Sequence, residues 1–284
     1  MRRILGLALL SLLAACSRPQ PATPALWEVS GPHGEHGWLF GTIHLLPRKA
    51  AWRSPVIDRA LDQADVLVLE IAAIDDSAAI QSAFASLAHS PGLPPLANRI
   101  AQPLRPALSK AMEEGHLDAG SLDGLETWAA ALTLASATEQ DGDTANGIDR
   151  AVINAAPNKP RAEFEGAARQ LAIFDRLAEA DQRVMLEATL REQNDEASEA
   201  QLAEAWRKGD MAAIASETRK GMLADPDLRK ALFTDRNAAW EAQLEAMLRS
   251  GKHPFVAVGA AHLAGQDGLP AMLAARGWKV VRVQ

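Results

Sequence analysis

The sequence predicts an α/β fold, α+β in its helical content: a small, mostly parallel sheet with paired strand–Gly-x-x-His elements and large helical insertions. Three observations predict it. Val66–Leu69 and Phe255–Val258 are continuous apolar runs, the pattern of strands buried on both faces. In both halves a strand, a helix and a strand follow in turn, which favours parallel crossovers. Much of the chain between those halves is rich in Ala and carries helix formers with few strand signals.

The elements follow in order. Leu26–Ser30 alternates, meets the turn Gly31–Gly37 and continues as Trp38–Phe40, which predicts a hairpin entering the sheet. Ser54-Pro55 starts a helix, with Ser as cap and Pro at the first helical position. Val66–Leu69 follows. Helical stretches are expected over 77–90, 103–115, 121–140, 146–156, 167–193 and 196–223, with one short strand at Arg161–Glu165 after the Asn158-Lys159-Pro160 break. Thr234 is positioned to cap a helix whose apolar positions are Trp240, Leu244, Met247 and Leu248, with Gly251 ending it. Phe255–Val258, a short helix at Leu269–Ala275 and an edge strand at Trp278–Val283 complete the body.

Composition bounds the function. The 284 residues are 48% hydrophobic and 23% charged, which excludes a disordered or collagen-like chain. The formal net charge of −7, with no basic block, argues against a nucleic-acid platform. One Cys excludes an intramolecular disulfide and any Cys-rich zinc or iron–sulfur site. No Tyr is present, so no general acid or base is a tyrosine.

The N-terminus reads as an address. Arg2-Arg3 precede the apolar stretch Ile4–Ala15, whose 12 residues would form a helix about 18 Å long, short of the roughly 30 Å hydrocarbon core. Residues 1–15 are therefore expected to be a signal peptide. Leu13-Ala14-Ala15-Cys16 resembles a bacterial lipobox, with Cys16 the lipidated residue; a plain secretory signal is the alternative. Residues 16–26 hold three prolines and read as an extended tether, and Ser17 after the Cys favours the outer membrane, facing the periplasm.

The chemistry concentrates in two Gly-x-x-His elements. Gly41-Thr42-Ile43-His44 follows one strand and Gly259-Ala260-Ala261-His262 follows another. Gly at a strand end permits a tight turn and leaves room for a ligand. Both histidines then project from the carboxyl end of a strand, where open parallel sheets bind ligands. Glu70 ends the run Val66–Leu69, a costly place for a charge unless it meets a cation, a metal or a cleft. Glu165 has the same relation to its shorter strand, with Glu163 the competing choice. Arg236 and Asn237 lie in the first turn of their helix, where the dipole disfavours a cation. Arg236 thus calls for a carboxylate partner, either neighbouring Asp235 or one in the cleft, or for a substrate anion. Trp240 reads as core. His33-Gly34-Glu35-His36 has metal-like spacing but falls in a Gly-rich turn and reads as a solvated loop.

Gly41-Thr42-Ile43-His44-Leu45-Leu46-Pro47, the strand ending in Glu70, Gly147-Ile148-Asp149, Arg236-Asn237 with Trp240, and Val258-Gly259-Ala260-Ala261-His262-Leu263 together resemble the TraB/GumN family. Its animal relatives are the Tiki proteins, and erythromycin-esterase-like and haem-binding lipoprotein families are similar to it. The resemblance covers residues 27–284, implying a single domain there, and for the Tiki branch it implies a metal-dependent peptidase. It implies central roles for His44, Glu70 and His262, with Arg236 supporting. The third strand departs from the family's usual Leu-Glu-Thr, reading Phe164-Glu165-Gly166.

The leading expectation is a metal-dependent hydrolase acting on a peptide or ester bond of a peptide or small-molecule substrate. A divalent ion (Mn, Co or Zn) held by His44, His262 and Glu70 would lower the pKa of a bound water. The remaining glutamate, Glu165 where Glu70 is the ligand and Glu70 otherwise, would serve as base, Arg236 would stabilise the anionic intermediate, and Gly41, Gly259 and Asn237 would support the site. Two alternatives stand: a lipoprotein that binds haem or metal without catalysis, and a metal-free hydrolase in which His and Glu activate water directly.

Overall fold

A computed structural model of the chain describes residues 18–138, 145–192 and 196–284. The signal segment 1–15 and Cys16 lie outside the described residues, as do 139–140 and 193, the ends of two expected helical stretches.

Two short strands, β1 (Gln20–Pro21) and β4 (Ala50–Ala51), pair in parallel. The main sheet is built from β2 (Leu26–Ser30), β3 (His36–Thr42), β5 (Val66–Leu69), β6 (Arg161–Glu163), β7 (Pro254–Gly259) and β8 (Lys279–Arg282). Their order is β6-β5-β7-β3-β2-β8. β6, β5, β7 and β3 run parallel; β2 is antiparallel to both β3 and β8. The predicted hairpin, the buried parallel strands and the C-terminal edge strand are all present.

The apolar runs are continuous because both faces of the sheet are covered. Alternate residues of β7 enter different cores: Phe255 and Ala257 join Leu67, Leu69 and Phe40, while Val256 and Val258 join Val66, Val68 and Leu39. The first face is covered by helices Pro55–Gln63, Ile148–Ala155 and Glu196–Lys208, through Ile57, Val152 and Trp206. The second is covered by Asp235–Arg249 and Leu269–Ala275, through Trp240, Leu244 and Leu273. A third core, centred on fully buried Trp128, joins helices Arg105–Glu114, Thr127–Thr138 and Glu179–Glu192. The insertions are thus large enough to bury apolar surface of their own.

Truncating Phe255, which is 0% exposed, to Ala is expected to cost about 3–5 kcal/mol; Leu67→Ala should cost about 2–5 kcal/mol. Urea unfolding checks both, and losses under about 1 kcal/mol at the two positions would contradict a packed central sheet.

Helix ends follow the sequence in part. Ser54 Oγ accepts from Ile57 N at 3.3 Å with Pro55 next, as expected. Thr234 does not cap. Its backbone is already helical, because a π-helical turn at Lys230–Thr234 runs straight into Asp235–Arg249, and its hydroxyl donates back to Lys230 O. The stretch 167–193 divides into Ala167–Asp175 and Glu179–Glu192, and 196–223 divides at Gly209, whose φ is 65°. The segment expected to be a tether is extended but held from Gln20 onward. Thr23 N donates to Arg207 O, and Arg207 Nη1 donates to Pro21 O. No helix among the described residues is long and apolar enough to cross a membrane.

Candidate functional site

The four parallel strands deliver their carboxyl ends to one place. β3 is followed by His44, β5 by Glu70, β6 by Glu165 two residues on, and β7 by His262 in the 3-10 turn Ala260–Leu263. Gly41 suits tight packing, since a Cβ there would lie 3.0 Å from the Cβ of Ala260. Gly259 allows its amide to reach Glu70: the N–H donates to Oε1 at 2.9 Å. Gly166, with φ of 75°, turns the chain after Glu165.

Arg236 is the hub. Its Nη2 donates to Glu70 Oε2 at 2.8 Å and to Glu165 Oε2 at 2.8 Å, its Nε donates to Glu165 Oε1 at 2.9 Å, and its Nη1 donates to Leu232 O at 3.2 Å. All three side chains are nearly sealed from solvent, at 10–12% exposure. The cation that the helix dipole disfavours is therefore held by two cleft carboxylates. Asp235 pairs instead with Lys230. Trp240 is core but has a polar duty, donating Nε1–H to Glu165 Oε1 at 3.0 Å while Arg236 stacks over its ring. Of the competing carboxylates, Glu165 faces the site, whereas Glu163 is exposed and accepts from Ala72 N.

Burial pushes the Glu70 carboxyl up. The His262 imidazole, the Arg236 guanidinium, the His44 imidazole and the Gly259 N–H together outweigh burial and lower it to about 2. Gln170 Nε2 adds a third donor at 3.1 Å. Burial disfavours the Arg236 cation, but Glu165 and Glu70 more than restore it and raise its pKa.

His262 is buried between Phe233, ring stacked at 5.1 Å, and Trp240, at 4.4 Å. Asn237 donates Nδ2–H to the His262 and Asp267 carbonyls, which turns its Oδ1 to His262 Nδ1 at 2.6 Å. Nδ1 therefore carries the proton, and Nε2 accepts from Arg236 Nη1 at 3.4 Å. Burial drives the imidazole pKa from 6.5 down to about 4, so the ring is neutral at physiological pH.

His44 lies at the exposed side of the cluster. Its Nδ1 is 2.7 Å from Asp149 Oδ2, and Thr42 donates to Asp149 Oδ1 at 2.6 Å. This carboxylate–imidazole pair joins the first Gly-x-x-His element to the start of the helix Ile148–Ala155. His44, Glu70, Arg236 and His262 line one cavity of about 620 Å³. Asp149, Thr42 and Gln170 were not legible as site residues; Thr42 and Asp149 surfaced only within the Gly41-Thr42-Ile43-His44 and Gly147-Ile148-Asp149 motifs.

A divalent metal suits this donor set in one respect. Each imidazole has Nδ1 engaged by an oxygen, the orientation that metal-bound histidines adopt. The spacing does not suit it. Ligand atoms of His44, Glu70 and His262 do not all lie within 4.8 Å of one another; among the described residues Asp181, Asp225 and Asp227 are the group gathered that closely. Asp225 there caps the turn Pro226–Arg229. The Arg236 guanidinium also engages His262 Nε2 and Glu70 Oε2, so both groups already have a cationic partner. As these side chains stand, they do not fit a bound divalent ion. The His33–His36 turn is a surface feature, with His36 paired to Glu28 at 2.7 Å.

The neutral His262 gives the fold an acid limit. The unfolded imidazole titrates near 6.5 and the folded one near 4. Between those values the unfolded chain holds a proton that the folded chain lacks, so stability rises with pH across that window. Acidification through the window is expected to remove on the order of 3 kcal/mol through His262. Glu70, depressed from 4.5 to about 2, adds a loss only below 4.5. Urea midpoints across this range check the expectation: His262→Asn should flatten the dependence, and an unchanged slope would contradict it.

The profile of the TraB/PrgY/gumN family matches residues 25–282. Two proteins described as uncharacterized protein YbaP, from Shigella flexneri and Escherichia coli (strain K12), are each 29% identical over 254 residues, covering 88% of this chain and 92% of theirs. No solved structure matches the chain. With a match that spans the sheet and every site residue, the chain belongs to the TraB/PrgY/gumN family.

Proposed function

We propose that the protein hydrolyses an acyl bond, peptide or ester, at the carboxyl ends of β3, β5, β6 and β7. One observation carries the reading: a carboxylate-backed imidazole, His44 on Asp149, lines the same cavity as a buried guanidinium and a neutral imidazole. With Nδ1–H donated to Asp149, His44 Nε2 is the nitrogen that takes a proton from water. Arg236 spends its N–H groups on Glu70, Glu165, Leu232 O and His262, and so orders the site rather than binding the oxyanion of the intermediate. His262 Nε2 is a neutral acceptor beside it. In this reading Glu70 and Glu165 are positioning residues rather than bases.

A second reading, the metal-dependent hydrolase, is favoured by the engaged Nδ1 atoms of both histidines. We further propose that the chain is held on the periplasmic side by lipid at Cys16, which the N-terminal sequence supports. Intact mass of membrane-extracted protein tests this, since an unmodified Cys16 in membrane-free extract would refute the anchor.

Purified protein assayed on 4-nitrophenyl esters and fluorogenic peptides tests the activity. Turnover is expected to survive a chelator and to fall about 10²–10⁴-fold in His44→Ala. Loss on chelation with recovery on added Mn, Co or Zn would favour the second reading. Absence of turnover on the whole panel, or full activity in His44→Ala, would overturn the proposal.

A further inference from the structure

We infer that the cavity selects neutral acyl substrates carrying an apolar arm and discriminates against carboxylates and phosphates; this rests on the hydrolase reading. Two kinds of side chain line the cavity. His44, Glu70, Arg236 and His262 are the polar cluster already described. Leu202, Trp206, Ile214, Met222 and Leu223, from Glu196–Lys208, Met211–Glu217 and the turn Gly221–Ala224, are apolar. The one polar atom of the Trp206 ring is engaged, since Nε1 donates to Gly41 O at 2.9 Å. The indole therefore offers only carbon to an occupant. About 620 Å³ is within the range that encloses a ligand of drug size.

Charge restricts the occupant further. Both basic residues of the lining are committed to carboxylates: Arg236 to Glu70 and Glu165, Lys220 to Glu217 at 2.6 Å. Glu199 adds another negative charge to the wall, in a chain whose net charge is already −7. An anionic substrate would meet carboxylates, not an uncommitted cation, and would lose its hydration against carbon. A neutral ester or amide meets no such penalty. Each methylene of its arm removed from water contributes about 0.8 kcal/mol, roughly a four-fold gain in affinity.

The experiment is calorimetric titration of the protein with acetamide, butanamide, hexanamide, octanamide and octanoate, beside turnover of 4-nitrophenyl esters of the same acyl series. Affinity for the amides should rise roughly four-fold per methylene until the wall is covered, and octanoate should bind at least about ten-fold more weakly than octanamide. Leu202→Asp and Met222→Glu, each checked for native circular dichroism, should weaken octanamide by about ten-fold or more. If both variants misfold, the chain-length series on the unaltered protein still decides. Indifference to chain length, or octanoate binding as well as octanamide, overturns the inference. Strong octanamide binding with no ester turned over would sink the hydrolase reading and leave the selectivity standing. Acetyl-ester turnover with no gain along the series would do the reverse.

Discussion

Arg236→Ala is expected to destabilise the protein by about 3–5 kcal/mol, because it strands two buried carboxylates without their cation. For a chain of this size the loss corresponds to a fall in Tm of roughly 10 °C. The cost comes from what is left behind more than from the pair itself. Glu165 keeps Trp240 Nε1, and Glu70 keeps Gly259 N and Gln170, but these dipoles are weaker than a guanidinium that reaches both acids. Arg236→Lys should recover part of the loss, since an ammonium is a point charge without the planar fork. Adding Glu165→Gln to Arg236→Ala should cost less than the two single effects combined, with a coupling of about 0.5–3 kcal/mol. Urea unfolding of the four proteins reads this directly. Additive losses would mean that Arg236 and Glu165 are not energetically joined.

Asp149→Asn is expected to lower kcat by roughly 10³–10⁴ while leaving the fold nearly intact. The reason is the tautomer. Thr42 Oγ1–H is fixed on one oxygen of Asp149, so an Asn in its place keeps its carbonyl oxygen there and turns its NH₂ to His44 Nδ1. Nδ1 must then accept, which moves the ring proton to Nε2 and removes the lone pair that would take a proton from water. Activity assays beside thermal melts separate this from unfolding. A kcat within about ten-fold of the unaltered protein would remove His44 from the role of base.

Much of this arrangement was legible in the chain. Val66–Leu69 and Phe255–Val258 read as buried strands because the sheet has helices on both faces and no solvated side to force alternation. Glu70 and Arg236 announced themselves as charges in costly places, and each proved to be the other's partner. Asp149 and Gln170 carried no such signal. Each is one of several polar residues on a helix of ordinary composition, and its partner lies about a hundred residues away in the chain. Thr234 looked like a cap because Thr before Asp-Arg-Asn is a common helix start. A π-turn has no comparable residue code, yet that turn leads into the helical turn where Arg236 Nη1 meets Leu232 O. The Gly166 turn decided between Glu163 and Glu165, a distinction that alternation alone left open.

The strand order has a consequence for how the chain comes together in time. β7 lies between β5 and β3, and those two touch no common strand other than β7. Until residue 254 has been synthesised, the sheet exists as two unconnected ribbons, β2 with β3 and β5 with β6, each too small to persist in water. The last thirty or so residues are therefore a keystone rather than an appendage. They close a contact that spans most of the chain, a slow kind of step for a folding polypeptide. His262 arrives on the same segment, so no nascent fragment carries the assembled cluster. Any chemistry the site performs begins only once His262 has joined the cluster.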